Sequence, residues 1–256
     1  MPAIPPIVTL TTDFGTRDYY VAGMKAVLLR DCPEARLIDV THEVPRHDIL
    51  CGSITLERAI DGFLPGTVHL AVIDPGVGTN RRILIVEINR QLVVCPDNGL
   101  ITWAWHRLGP GAAHVLEWRP TAGSNTFHGR DVMAPVAALL ASGGSIGSVA
   151  RRIADPILLD ISPADAASRT ARVIHIDVFG NATTNMDHAI LRTLREAHFR
   201  IRAHRLGKLH RTYWDAPPGE PLALIGSSGL LEIAVRDGSA ADKLNLKVGD
   251  EVTIEE

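Results

Sequence analysis

In the first two-thirds of the chain, short apolar runs alternate with stripes of apolar residues at helical spacing. Ile7–Leu10, Leu37–Val40, Val68–Ile73, Ile83–Ile88, Leu92–Cys95 and Ala113–Trp118 are mostly apolar and predict strands. Between them, Asp18–Arg30 carries Tyr20, Met24, Val27 and Leu28 on one stripe, and Ile49, Leu56, Ile60 and Phe63 line a second helix. Leu100–Leu108 and Asp131–Ala141 predict two more helices, the latter with Pro135 in its first turn, where a missing N–H does little harm. Asn89-Arg90 predicts a hairpin turn between two of the strands. Strands separated by helices indicate βαβ units and an α/β fold with a mostly parallel sheet.

The pattern changes at Ile161–Thr170, a small and polar stretch that suits a linker between a domain of residues 1–162 and one of residues 171–256. Beyond it Ala171–Val178, Phe199–Ala203, Leu222–Ile225, Leu230–Val235 and Glu251–Ile254 predict strands, and only Asp187–Arg195 and Ala240–Leu244 read as helical. A smaller C-terminal β-barrel domain is expected. The basic residues from Arg200 to Arg211 alternate with Ile201, Ala203, Leu206 and Leu209 without interleaved aromatics, the pattern of a solvated strand face and not of a nucleic-acid platform.

Composition narrows the class further. The chain has 256 residues, 46% of them hydrophobic, and a formal net charge of −3, so it is expected to be globular with no global attraction to nucleic acid or anionic membrane. Cys32, Cys51 and Cys95 have no C-x-x-C spacing and read as reduced thiols. Met-Pro-Ala-Ile-Pro-Pro has no basic n-region, and no apolar run reaches spanning length; the expectation is a soluble, cytoplasmic protein.

Candidate chemistry collects where predicted strands end. In Val72–Arg81 an apolar run stops at Asp74, and Pro75, Gly76 and Gly78 force an irregular turn before Arg81. A carboxylate at the carboxyl end of a parallel strand sits where open α/β sheets build ligand sites, although the same residues also make a tight turn with a solvated Asp. Asp13, after the first strand, suits a ribose diol or a helix cap, and Asp18 at a helix start suits the dipole or a ligand ammonium. His128 lies in Asn125–Asp131, a second strand-to-helix loop in which Arg130 and Asp131 can pair with each other. Phe179 offers a ring to stack on a base and Asn181 an amide to read one, while Asp177 and Asn181 equally suit an Asx turn. Gly226–Glu232 is a tight turn with two hydroxyls, Ser227 and Ser228. No glycine-rich dinucleotide fingerprint, Walker motif or nucleophile elbow is present. Pro45 separates His42 from His47, so no metal site is expected there.

These segments together resemble the SAM hydroxide adenosyltransferase family, relatives of the SAM-dependent fluorinases and chlorinases. The resemblance rests on Thr-Asp-Phe-Gly at 12–15, Val-Ile-Asp-Pro-Gly-Val-Gly at 72–78, Pro-Asp-Asn-Gly at 96–99, Phe-His-Gly-Arg-Asp at 127–131, Phe-Gly-Asn at 179–181 and Gly-Ser-Ser-Gly at 226–229, in order over nearly the whole chain. It implies a Rossmann-like N-terminal domain, a C-terminal barrel, and a homotrimer with S-adenosylmethionine (SAM) bound at subunit interfaces. It further implies hydrolysis of SAM to adenosine and methionine, with SAM as substrate and no cofactor or metal. Asp74, Arg81 and His128 fall on the family's Asp-Arg-His triad and Asp13 on its ribose-binding carboxylate. Asp18 and Asp177 fall on the methionine side, Phe179 and Asn181 on the adenine side, and Ser227 on a further substrate contact. Tyr20 departs from the halogenases, which carry a small hydroxyl residue there. A halogenase is the nearest alternative, although an ionised Asp74 in the pocket would repel a halide. A non-catalytic SAM or adenosine binder is the alternative of a different class, with no use for a second carboxylate–Arg–His set. The missing glycine-rich motif counts against a methyltransferase.

Overall fold

The structure, a computed structural model, describes residues 5–165, 167–192 and 197–255. Two compact units divide after Ile161. In the first, β1 (Ile7–Thr12), α1 (Tyr20–Asp31), β2 (Arg36–Thr41), α2 (Ile49–Gly62) and β3 (Val68–Val72) alternate in βαβ fashion. Then come β4 (Ile83–Ile88), β5 (Gln91–Pro96), α3 (Thr102–Arg107), β6 (Ala112–Leu116), α4 (Ala134–Ala141) and β7 (Ala150–Ile153).

One seven-stranded sheet runs in the order β2-β1-β3-β5-β4-β6-β7. β2, β1, β3 and β5 are parallel, whereas β4, β6 and β7 join antiparallel, so the α/β sheet is mixed. Asn89 and Arg90 both take positive φ, as a two-residue I′ hairpin requires, and fix β4 against β5 with Ile88 opposite Gln91.

The strand runs look continuously apolar because both faces of the sheet are covered. Along β3, Val68, Leu70 and Val72 enter one core with Met24 and Leu28 of α1 and Val136 and Ala137 of α4. Ala71 and the following Ile73 enter the other, with Leu56 and Ile60 of α2. Tyr20, expected on the buried stripe of α1, is 40% exposed, because it is the first residue of the helix and its ring turns onto Phe14 and Phe127. Pro135 lies in the first turn of α4, as expected, and a π-helical turn at Gly129–Met133 runs directly into that helix. β7 was not predicted; its sequence, Ala-Arg-Arg-Ile, lacks an apolar run because two of its residues face water at the sheet edge.

The second unit begins at Ser162. Its strands are β8 (Thr170–Ile176), β9 (Ala182–Asp187), β10 (His198–Ile201), β11 (His204–Leu206), β12 (Pro221–Ile225), β13 (Leu230–Val235) and β14 (Glu251–Glu255), with short helices α5 (His188–Leu191) and α6 (Ala240–Leu244). Their order β11-β10-β14-β8-β9-β13-β12 is antiparallel throughout, and a bridge between His210 and Leu224 draws the two edges together into a nearly closed barrel. β9 and β11 were not predicted, since Ala-Thr-Thr-Asn-Met-Asp and His-Arg-Leu are too polar to announce themselves. The predicted helix to Arg195 is seen to Leu191; residues 193–196 lie outside the described residues. In the basic stretch, Arg200 and Arg205 pair with Glu255 and Arg202 with Asp250, while Ile201 and Leu206 are buried.

Candidate functional site

β3 ends at Val72, and beyond Asp74 and Pro75 the chain folds into successive turns through Val77 N–H to the Asp74 carbonyl (3.2 Å) and Thr79 N–H to the Gly76 carbonyl (3.1 Å). Gly78 has φ +82°, and a Cβ there would lie 2.9 Å from the Asn125 carbonyl oxygen. This turn therefore passes directly against the loop that carries His128.

Arg81 returns its side chain across the turn. Its Nε donates to both oxygens of Asp74 at 2.7 and 2.9 Å, its Nη2 also donates to Asp74, and Nη2 lies 3.0 Å from His128 Nδ1. The structure thus brings Asp74, Arg81 and His128 together, and the first two side chains are nearly buried. A guanidinium can only donate, so Nδ1 of His128 is the acceptor and the ring carries its proton on Nε2. Burial, followed by the charge of Arg81, pushes the His128 pKa below its ordinary value, while Asp74 opposes the shift. The cluster then holds one carboxylate, one guanidinium and one neutral imidazole, with no net charge.

His128 also borders a cavity of about 320 Å³, shared with Gly78, Arg119, Asn125 and Asp131. Arg130 pairs with Asp131 and lies 4.8 Å over the Phe127 ring. Asp131 also accepts from Ser124 N–H at 2.7 Å, which ties down the loop before His128. The Arg130–Asp131 pair holds the Asp131 carboxyl below the usual range.

Two other candidate carboxylates of the first unit, Asp13 and Asp18, have their own settings. Asp13 accepts a hydrogen bond from His47 N–H at 2.9 Å, and Asp18 is exposed just before α1. Phe14, Tyr19, Tyr20 and Phe127 line a cleft of about 420 Å³ with Ser124, Thr126 and Arg130. His42 Nδ1 bonds with Thr12 Oγ1 at 2.8 Å, and its Nε2 lies 2.9 Å from Asp39 Oδ1. Among the described residues no group of three His, Cys, Asp or Glu is placed to hold a metal ion.

In the second unit a cleft of about 600 Å³ is lined by Asp177, Phe179, Asn181, Tyr213, Trp214 and Arg236, among others. Asp177 is spent mainly on its own turn. Its Oδ1 accepts from the N–H groups of Phe179 and Asn181, both at 2.9 Å, and its Oδ2 accepts from the Asn181 amide at 3.1 Å. That leaves the Phe179 ring 74% exposed over the cleft. Ser227 sits at the exposed tip of the β12–β13 hairpin and is not among the residues lining the cleft.

Sequence reasoning missed Tyr213 and Trp214. Trp214 is also 74% exposed, with the Arg236 guanidinium 3.7 Å over its ring, and Tyr213 donates to the buried Glu232 at 2.6 Å. Two adjacent aromatics in a short polar stretch, capped by Thr212 and Asp215, were the available signal.

Comparison with known proteins follows the same division. Residues 8–150 match the SAM hydroxide adenosyltransferase N-terminal domain and residues 171–253 the C-terminal domain of that family. The chain is 40% identical to the (R)-S-adenosyl-L-methionine hydrolase of Salinispora arenicola, over 98% of each chain. It is 38% identical to the protein of that name from Thermus thermophilus, covering 94% of this chain and 96% of that one. The fluorinase of Nocardia brasiliensis is 26% identical over 97% of this chain and 96% of its own. A crystal structure described as an uncharacterized conserved protein from Thermotoga maritima superposes with a TM-score of 0.89 at 35% identity, covering 97% of this chain and all of that one.

Proposed function

The chain belongs to the SAM hydroxide adenosyltransferase family, and from that premise we propose that it hydrolyses (R)-S-adenosyl-L-methionine to adenosine and L-methionine. Water attacks C5′ in line with the sulfonium. The C5′–S bond breaks as the C5′–O bond forms, its electron pair stays on sulfur, and methionine leaves as a neutral thioether. No acid is needed for departure. What remains is to orient the water and take its proton.

The observation that carries this reading is the Arg81 guanidinium bridging Asp74 and His128. His128 Nδ1 is already occupied, which leaves the Nε2–H to donate to the attacking oxygen. Asp74 keeps lone pairs beyond those that Arg81 uses, so it is the proton acceptor of the three. A net-neutral cluster also avoids repelling the cationic substrate. A halide would meet the Asp74 carboxylate in a site where the Nε and Nη2 donors of Arg81 are committed to Asp74 and His128, so water is the favoured nucleophile over chloride or fluoride.

In this reading Asp13 holds the ribose diol, while Asp18 and Asp177 face the methionine portion and Ser227 adds a further contact. Phe179 and Asn181 serve adenine, joined by Trp214. The active sites are completed at the subunit interfaces of a homotrimer in the cytoplasm, with no metal or cofactor, no nucleic acid and no membrane partner. Resemblance supports the trimer, and light scattering of the purified protein tests it. Undiminished activity in EDTA is expected.

The deciding experiment is mass spectrometry of products from the purified protein and SAM in ¹⁸O-water, with and without chloride. The expected products are adenosine labelled at the 5′ oxygen and unlabelled methionine. Chlorodeoxyadenosine would make it a halogenase, and unchanged SAM would leave a binder.

A further inference from the structure

The Pro-Asp-Asn-Gly segment at 96–99 has no part in the chemistry above, yet it grips both ends of the turn that carries Asp74 and Arg81. β3 and β5 run parallel with Leu70 opposite Val94, and beyond that register the two chains diverge. The Ile73 carbonyl, one residue before Asp74, is taken up by a side chain instead: Asn98 Nδ2 donates to it at 2.9 Å. The amide orientation is fixed, because Asn98 Oδ1 must accept from Leu100 N–H (3.2 Å), which an NH₂ group could not do.

Asp97 holds the other end. Its Oδ2 accepts from Arg82 Nε at 2.6 Å, and its backbone N–H donates to the Arg82 carbonyl at 3.0 Å. Arg82 immediately follows Arg81. The Asp97 side chain is fully buried, and its second oxygen accepts from Ile157 N–H at 2.7 Å, so it is anchored from both sides. Two consecutive residues therefore fix the backbone just before Asp74 and just after Arg81, while the turn between them contains Pro75, Gly76 and Gly78.

We infer that Asp97 and Asn98 are positioning residues that set the separation of the Asp74 carboxylate from the Arg81 guanidinium, and through Arg81 the ring of His128. This rests on the hydrolytic reading above. Small displacements of a reacting group are costly: a misplacement of about 1 Å can lower a rate on the order of a hundredfold.

The test is steady-state hydrolysis of SAM by the full chain and its Asn98→Asp and Arg82→Lys variants, read as kcat and KM. Melting temperatures and the ring ¹⁵N shifts of His128 are recorded alongside. Asn98→Asp keeps the acceptor for Leu100 and presents a carboxylate to the Ile73 carbonyl; kcat is expected to fall by about tenfold to a hundredfold with KM little changed. Arg82→Lys keeps a cation beside buried Asp97 but loses the directed Nε donor and the bonds of Nη1 and Nη2 to Asp155, and a smaller fall in kcat is expected. In both variants the Nδ1 resonance of His128 moves away from its hydrogen-bonded position. Folded variants with unchanged kcat and unchanged His128 shifts overturn the inference, as does a loss of kcat that disappears on correction for the folded fraction. If the unsubstituted chain forms no adenosine, the hydrolytic reading fails, and the ¹⁵N shifts, which need no turnover, still decide the positioning role.

Discussion

Nδ1 of His128 accepts a hydrogen bond from Arg81, and an imidazolium has no lone pair with which to do so. Burial and the Arg81 charge already depress its pKa below the ordinary value of about 6.5. The neutral ring persists above that depressed value and is lost as pH falls through it, breaking the contact with Arg81. Turnover is therefore expected to be level above about pH 6.5 and to decline only below it; a kcat–pH profile with its acid limb above that value would contradict the assignment. Folding stability follows the same sign. The unfolded chain takes up the proton first, so stability is full above the unfolded value and is lost as pH falls from there toward the folded one. His69, pushed down by burial, adds to the same trend. Asp74→Ala and His128→Ala are expected to retain adenosine binding, measured calorimetrically, while turnover falls by about a hundredfold or more. Full activity in both would remove the cluster from the reaction.

At the level of elements, three strands are pinned through one buried side chain. Thr9 of β1 lies 2.7 Å from His69 Nδ1, and His69 Nε2 lies 2.8 Å from Gln91 Oε1 of β5, whose amide donates to the Ile60 carbonyl in α2. The Gln91 oxygen only accepts, so Nε2 carries the proton and the Thr9 hydroxyl donates to Nδ1. His69→Leu leaves two buried polar groups unpaired and is expected to cost about 1–3 kcal/mol, read from urea unfolding. The turn after β3 is equally constrained. Gly78→Ala forces a side chain into positive φ against the Asn125 carbonyl. It is expected to destabilise by about 1 kcal/mol or more and to lower kcat, because the carbonyl it strikes belongs to the His128 loop; a fully active, fully stable variant would separate the two loops.

For the molecule as a whole, the chemistry divides between the units. The first holds the carboxylate–guanidinium–imidazole cluster, and the second an aromatic cleft with Phe179 and Trp214. Base–aromatic stacking is worth about 1–3 kcal/mol per base. Phe179→Ala or Trp214→Ala is accordingly expected to raise KM for SAM by about tenfold or more with kcat nearly unchanged, the inverse of the Asp74→Ala result. A kcat loss at constant KM would show that the cleft does not hold the adenine.

What the sequence determined by itself is what short range controls. Apolar periodicity located β1, α1, β2, α2 and the β3–β5 strands to within a few residues, since the central strands β1, β3, β4 and β5 are almost wholly buried and each helix covers one face. The order of motifs identified the family, and through it Asp74, Arg81 and His128 as candidates. Tertiary structure decided the rest. β9 and β11 owe their pairing to neighbours in the barrel and not to their own polar sequences. The π turn at Gly129–Met133 replaces the regular coil with which the predicted helix of residues 131–141 would begin. Tyr213 and Trp214 line one cleft with Phe179 and Asn181 although they are far apart along the chain. The protonated nitrogen of His128, and the hold of Asp97 and Asn98 on the turn, depend on hydrogen bonds between residues 15 to 47 positions apart. Such bonds are directional, and their direction is set when the fold brings donor and acceptor together.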